Sequence, residues 1–325
     1  MFDHLNGKDN LIETTEEEDS PTDAARRRVL GRLGEYTSLI ITPLNMRPTS
    51  ATLLFEDDQR IEVRISTTSR HIILAIVPNG DMAAEVFFLR SMATKQLPAP
   101  RLIAHDLNCT VVPFTYALLG HIGGIALQQI TETSLVRVAA RQVGRTMRRM
   151  HQMTAPGFGR PATTGRWPKQ TWLQLLDDWT AQRELGERAA DILGNAQTAA
   201  LLKTTLEHPA LRYDRPCVIH GKVNPNHAIV TVGDSVQLEA LIQPGDIVGG
   251  DPMFDLAYSM LPRHHSAFRH GVWEGYTATG ALAPEQEQRF QRLKLLLWVT
   301  ETLWNDAEVP SQFPESVANE LNALA

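Results

Sequence analysis

Cysteine is scarce: two residues, Cys109 and Cys217, stand far apart in a chain of 325. Neither belongs to a C-x-x-C pair, which argues against a disulfide framework and against a cysteine-based zinc site. Long apolar runs are missing too. The longest near the C-terminus, "LKLLLWV", is far too short to span a bilayer. An excess of positive charge is also lacking, for the net charge is -6. Nucleic-acid phosphates favour a basic surface, so this balance argues against such a partner. The opening stretch "MFDHLNGKDNLIETTEEEDSPTD" has no apolar segment and does not read as a signal peptide. These absences leave a soluble, cytoplasmic, reduced protein as the expectation, long enough for one large domain or two lobes.

Residues 1–22 read as an acidic flexible tail, with Glu16–Asp19 as a docking or merely solubilising segment. A helix is predicted after Ser20 or Thr22, with Leu30, Leu33 and Tyr36 on one side. The arginine clusters Arg26-Arg27-Arg28 and Arg148-Arg149 read as solvated helix faces. Strand-like segments follow at 38–44, 50–57 and 60–66. In the last, Ile61, Val63 and Ile65 alternate with Glu62 and Arg64, and "EDDQ" before it reads as a hairpin turn. The run at 70–77 fits a buried strand or a short buried helix equally well. A helix is expected from Asp81 through Gln96, then a proline-stiffened turn, a strand-like stretch at 110–119 and the break "GHIGG". From 134 onward the pattern is mainly helical. Leu135, Val138, Ala139, Val143, Met147 and Met150 form one stripe, and further helices are expected near 170–185, 187–207, 265–279, 284–306 and 314–324. Only 217–242 interrupts with short strands. The division is an N-lobe at 23–119, β-rich with one helix carrying Glu85, and a helical C-lobe at 120–325. The predicted class is therefore two-lobed α+β.

Five motifs in this order carry a resemblance: "MAAEVFFLRSMATKQLPAPRLI", "RTMRRMHQMTAPGFGR", "VIHGKVNPNHAIV", "LIQPGDIVGGDPMFDLAYSM" and "VWEGYTATGALAPEQEQRF". Together, across roughly residues 35–300, they resemble the aminoglycoside phosphotransferase and choline kinase family, which shares its architecture with protein kinases. The resemblance implies a kinase-like fold, ATP and Mg²⁺ as cofactors, and a hydroxyl acceptor that is aminoglycoside-like, choline-like, sugar-like or homoserine-like. It extends to components of bacterial peptide-modifying assemblies that work beside a lyase.

Phosphoryl transfer asks the protein for positioning, for metal ions that neutralise charge, and for a carboxylate that takes the hydroxyl proton. Carried over residue by residue, the family's proton-accepting Asp falls on Lys222. An ammonium group cannot act as a base. The metal-binding Asn falls on His227, and the principal metal-binding Asp falls on Gln243. Mg²⁺ prefers hard oxygen ligands, so both replacements weaken a metal site. The phosphate-covering loop is placed near 43–52, which holds no glycine. Arg64 is the preferred phosphate-binding cation, with Ala75 the alternative alignment and Glu85 its helix partner.

His220, Gly221, Asp251 and Asp255 read as residues that shape and brace the loop at 217–230 and its companion at 240–256. Asp246 is the one nearby carboxylate able to act as a displaced metal ligand, although a turn role after Pro244-Gly245 fits it as well. His220 and His227 without further ligands do not make a zinc site. With base, metal ligands and glycine loop lost together, no cofactor is expected and the pattern is that of a pseudokinase. On this reading Arg64, Lys222 and a protonated His227, with Asn224 and Gln243 beside them, line an electropositive cleft. That cleft, or the outer surface, would hold a protein partner, a small anionic ligand or a peptide. The alternatives are a divergent ATP-dependent phosphotransferase acting on a small-molecule or peptide hydroxyl, and nucleotidyl transfer, which also needs metal carboxylates. The oligomeric state is not set by the sequence.

Overall fold

The computed structural model describes residues 21–57, 59–304 and 309–324. The acidic tail proper and Asp58 of the expected hairpin lie outside them. Two helices, α1 (Pro21–Gly31) and α2 (Leu33–Ile41), open the fold. Five strands then build one antiparallel sheet: β1 (Pro48–Glu56), β2 (Ile61–Thr67), β3 (His71–Val77), β4 (Leu102–Asp106) and β5 (Thr115–Gly120), in the order β1-β2-β3-β5-β4. The period-2 pattern of β2 is realised: Ile61, Val63 and Ile65 are fully buried, while Glu62 and Arg64 face the other way. The buried row packs under Val29, Tyr36, Ile40 and Ile41 of α1 and α2. The opposite face carries Ala75, Ala117 and Leu119 against Phe88 and Met92 of α3 (Ala83–Thr94). That face looks onto the cleft.

Four local readings change. Residues 38–44 are helical rather than extended: α2 runs to Ile41 and a 3-10 turn continues to Leu44. The apolar run misleads there, because Tyr36, Thr37, Ile40 and Ile41 bury one helical stripe. The ambiguous run at 70–77 is strand β3. Of the stretch 110–119 only Thr115 onward is strand. Before it, the Asp106 carboxylate accepts the amides of Asn108, Thr110 and Val111 at 2.6–3.0 Å and folds the chain into a loop. Strand β4, inside the stretch read as a proline turn, went unpredicted.

The C-lobe begins with the short β6 (Ile125–Ala126) and the long α4 (Thr133–Met150). Its buried stripe is Val136, Ala139, Ala140, Val143, Met147 and Met150, one position off the expected one at its start, for Val138 is exposed. Helices α5 (Trp172–Ala181), α6 (Leu185–Leu193) and α7 (Asn195–Thr204) follow. Gly194, at φ 80°, breaks the single helix expected over 187–207. The interruption consists of β7 (Cys217–Val218), β8 (Ala228–Val232), β9 (Val236–Leu241) and β10 (Gly249–Gly250), of which β7 pairs with β10 and β8 with β6 and β9. Then come α8 (Pro252–Ser259), α9 (Ser266–Thr277), α10 (Pro284–Trp304) and α11 (Phe313–Leu324). Helices α4 and α9 touch backbone to backbone. A Cβ on Gly144, Gly271 or Gly275 would run into the carbonyls of Val272, Arg137 and Arg141 respectively. Among the described residues no helix is long and apolar enough to cross a membrane.

Candidate functional site

The loop from Ile219 to His227 is shaped from behind. Gly221 sits at φ 76°, and a Cβ there would collide with the carbonyl of Ile247. The fully buried Asp255, on α8, accepts the amides of His220 and Gly221 at 2.6 Å each. His151, at the end of α4, reaches the same carboxylate with Nε2 at 3.1 Å and meets the hydroxyl of Tyr276 with Nδ1 at 2.9 Å. Asp251 caps α8 by accepting the Met253 amide and pairs with Arg289 at 2.8 Å. Burial raises the Asp251 pKa, and Arg289 opposes the rise.

The His220 ring donates from Nε2 to the carbonyl of Ile242 at 3.0 Å and lies edge-on to Phe88 of α3. Its Nδ1 is buried without a hydrogen-bond partner. Burial lowers its pKa, against the opposing pull of the Asp255 carboxylate.

Lys222 is exposed, and its carbonyl binds the loop together. Asn224 Nδ2 donates to it at 3.1 Å, and His227 Nδ1 lies at the same distance. Asn224 is buried and accepts the Asn226 amide, starting the turn that leads into β8. Burial, then the neighbouring His220 and Lys222, push His227 down to about 3. The protonated His227 expected in an electropositive cleft is therefore absent near neutral pH.

Gln243 is placed by an unusual backbone at φ 51°. Its Nε2 donates to Glu62 Oε1 on β2 at 2.8 Å. The same oxygen accepts Arg60 Nε at 2.6 Å, and the other end of that guanidinium grips Glu85 of α3 at 2.6 and 3.0 Å. The partner of Glu85 is thus Arg60, from the turn before β2, and neither Arg64 nor Ala75. Arg64 projects from the middle of β2 toward the end of the sheet where His71 and His121 lie, and its charge helps to lower the pKa of His121. Ala75 is fully buried, opposite Glu62 in the β2–β3 register. Burial works against the charge on Arg60, but Glu85 and Glu62 outweigh it and hold its pKa above the ordinary value. One guanidinium is matched by two carboxylates, so this part of the cleft is not a bare cationic surface.

Residues 48–52 of the expected phosphate-covering loop at 43–52 are strand β1, and the connection from Asp57 to Arg60 then leads into β2. It contains no glycine. Asp57 Oδ1 accepts the amides of Gln59 and Arg60 at 2.9 and 2.7 Å. Two backbone donors of this connection, the amides of Gln59 and Arg60, are therefore occupied by a side chain of the turn itself.

Asp246 is mostly exposed and pairs with Arg160 at 3.0 Å. Arg160 also binds the carboxylate of Asp81 just before α3, so it spans from the N-lobe to the 243–247 loop. Gln243 to Glu62 and Arg160 to Asp81 are thus ties between the lobes, beside the bond of the Leu241 amide to the Pro98 carbonyl. From the sequence, Arg60 and Arg160 carry no role, Glu62 is only a polar strand position and Asp81 only the start of a helix. The one available signal was Arg160 closing the quoted "GFGR".

These residues do not fit a magnesium nucleotide. Gln243 offers a neutral amide oxygen where a carboxylate is wanted and has its Nε2 on Glu62, His227 and Asn224 are turned onto the Lys222 carbonyl, and Asp246 is held by Arg160. No group of three or more His, Cys, Asp or Glu side chains among the described residues is placed to hold a metal ion. Two cavities, of about 500 Å³ between α3 and β4 and about 380 Å³ between α5 and α6, both lie away from the cleft.

Comparison with known proteins agrees with this architecture. A family model described as "Phosphotransferase enzyme family" matches residues 56–294. No curated protein matches the chain. Among solved structures, a thermostable mutant of the aminoglycoside phosphotransferase APH(4)-Ia, in ternary complex with ADP and hygromycin B, is similar at TM-score 0.56 and 16% identity. The match covers 88% of this chain and 96% of that one. The GDP and kanamycin complex of APH(2")-IIIa is similar at TM-score 0.59 and 13% identity, over 89% and 98%. At such identities the likeness is one of fold.

Proposed function

The chain belongs to the phosphotransferase enzyme family, and on that premise we propose that it is a catalytically silent member, a pseudokinase that binds rather than phosphorylates. The observation that carries this reading is the chain Gln243–Glu62–Arg60–Glu85. A cation held by the helix glutamate also suits an active cleft; what sets this one apart is Glu62, which holds the same Arg60 and takes up Gln243, the residue at the principal metal position. The residue at the proton-accepting position, Lys222, is a cation and cannot take up the hydroxyl proton. A protein partner or a small anionic ligand or peptide is the binding object this reading favours. Its carboxylate or phosphate would meet Lys222, the exposed cation of the loop.

The test is calorimetric titration of the purified protein with ATP, with and without Mg²⁺, beside an assay for ATP consumption. No heat of binding and no turnover are expected. Magnesium-dependent ATP turnover would overturn the proposal, and binding without turnover would make the nucleotide itself the ligand held. For the binding half, an acidic peptide read by fluorescence polarisation should bind more weakly to Lys222→Ala than to the wild type. Equal affinity would remove Lys222 from the interaction.

A second reading, a divergent ATP-dependent phosphotransferase acting on a small-molecule or peptide hydroxyl, is favoured by one observation. Asp255 still holds the amides of His220 and Gly221, so the backbone of the loop is braced although its side chains have changed. ATP turnover in the same assay separates the two readings.

A further inference from the structure

Strand β1 is the outer strand of the five-stranded sheet, and every residue from Pro48 to Glu56 is exposed. An outer strand offers a row of unpaired amides and carbonyls, and proteins usually protect it with charge or shorten it. Here the middle carries no charge, although two bulges interrupt its pairing with β2. Leu53, Leu54 and Phe55 are 44%, 46% and 42% exposed, and no charged residue occurs from Pro48 to Phe55. Leu39, on the α2 helix that contacts β1, is a further exposed apolar side chain at 47%.

We propose that the free edge of β1 pairs antiparallel with β1 of a second copy of this chain, about a two-fold axis at Thr52. The sequence of the strand is what selects a second copy as the occupant. Two-fold pairing at Thr52 sets residues opposite each other whose numbers lie equally far on either side of it. Leu53 then faces Ala51, Leu54 faces Ser50 and Phe55 faces Thr49, so no like charges meet within the strand. At both ends of the pairing, Arg47 of one copy faces Asp57 of the other. Arg47 is exposed and forms no ion pair among the described residues. Asp57 is exposed and engages its own turn through Oδ1 alone.

The geometry of the strand keeps this match in phase. The β1–β2 pairing has two irregularities, one between Pro48 and Ser50 and one between Leu53 and Phe55. They fall one on each side of Thr52, so both arms carry a single extra residue and remain equal in length. Backbone pairing along an edge supplies affinity, and the flanking charges fix the register.

The experiment is sedimentation velocity of the purified chain from about 1 to 200 μM, run on the wild type and on Arg47→Asp. It is joined by a trap, Thr52→Cys in a Cys109→Ser background, which removes the exposed native thiol. Directly opposed residues of antiparallel strands lie about 4.5–5.5 Å apart, within the range of a disulfide. A concentration-dependent dimer is expected. Mild oxidation should lock Thr52→Cys as a covalent dimer, and Arg47→Asp should weaken association by on the order of tenfold. A monomer at every concentration overturns the proposal, as does a dimer that Thr52→Cys fails to trap. The trap is read on a variant that keeps the charge pair, so a folding defect in Arg47→Asp does not decide the result.

Discussion

Replacing Arg60 with alanine removes the centre of the cleft network. The guanidinium makes two hydrogen bonds to Glu85 and one to Glu62, with side-chain exposures of 16% for Arg60, 9% for Glu85 and 15% for Glu62. Two carboxylates are then left side by side without their cation, in surroundings that water reaches poorly. Breaking a buried pair by deleting one partner costs about 3–5 kcal/mol, and the residual exposure puts this case near ~3 kcal/mol. At about 2 °C per kcal/mol for a chain of this size, the melting temperature should fall by roughly 6 °C. Arg60→Lys keeps the charge but loses the fork that grips both Glu85 oxygens, and should cost about half as much. Arg64→Ala is the control, since Arg64 forms no ion pair among the described residues and should change stability by no more than ~0.5 kcal/mol. Thermal unfolding followed by circular dichroism compares all three. An Arg60→Ala protein as stable as Arg64→Ala would refute the network as a structural element, and with it the main support for a silent cleft.

Three other outcomes follow from the same geometry. Asp255→Asn keeps the size of the side chain but loses its charge, and should cost about 1.5–3 kcal/mol through the His220 and Gly221 amides; hydrogen exchange at those two amides should speed up, and unchanged protection would refute the bracing role. Burial lowers His227 to about 3 and His264 to about 4, so the unfolded chain, with histidines near 6.5, binds more protons than the folded one between those values. Stability should therefore be complete above pH 6.5 and fall as pH drops toward 4, by up to about 1.4 kcal/mol per unit for each histidine, and His264→Gln should flatten the slope in melts from pH 4.5 to 7.5. Lys222→Asp should not restore phosphotransfer, because Gln243 and the Arg60 network remain; magnesium-dependent ATP consumption by that variant would show that a single residue silences the site.

Architecture was legible because it rests on periodicity and on the order of motifs. The alternation of Ile61, Val63 and Ile65, the stripe on α4 and the order of five motifs can each be read without knowing what the polar residues between them touch. Local conformation was legible only where periodicity was unambiguous. "SLII" at 38–41 has too few residues to separate a strand from a helix, and the neighbours that decide it, Tyr36 and Thr37, lie upstream. Helix α8 stayed hidden within a loop motif, since its capping Asp251 is visible only once the amide of Met253 is seen to bond it. The positions of Lys222, His227 and Gln243 could be read directly, but their surroundings could not. Arg60 joins Glu85 across 25 positions and Gln243 joins Glu62 across 181. Pairings at such separations leave no local trace, and that is why Arg64, regular in its strand, drew attention that belonged to the turn before it.

The glycine contacts between α4 and α9 reach further than the two helices. Gly144 lies two turns before His151 on α4, and Gly275 immediately precedes Tyr276 on α9. With carbonyls resting against Cα atoms, the spacing of the pair is set by main-chain dimensions and has no rotamer freedom to absorb an error. That spacing is what lets His151 touch Tyr276 and Asp255 at once. A single methyl group added at this seam would part the helices, draw the imidazole from the carboxylate and loosen the loop that Asp255 anchors. The shape of the cleft is therefore calibrated from a seam that never touches it, and a lesion there would read, in any binding assay, as a defect of the loop.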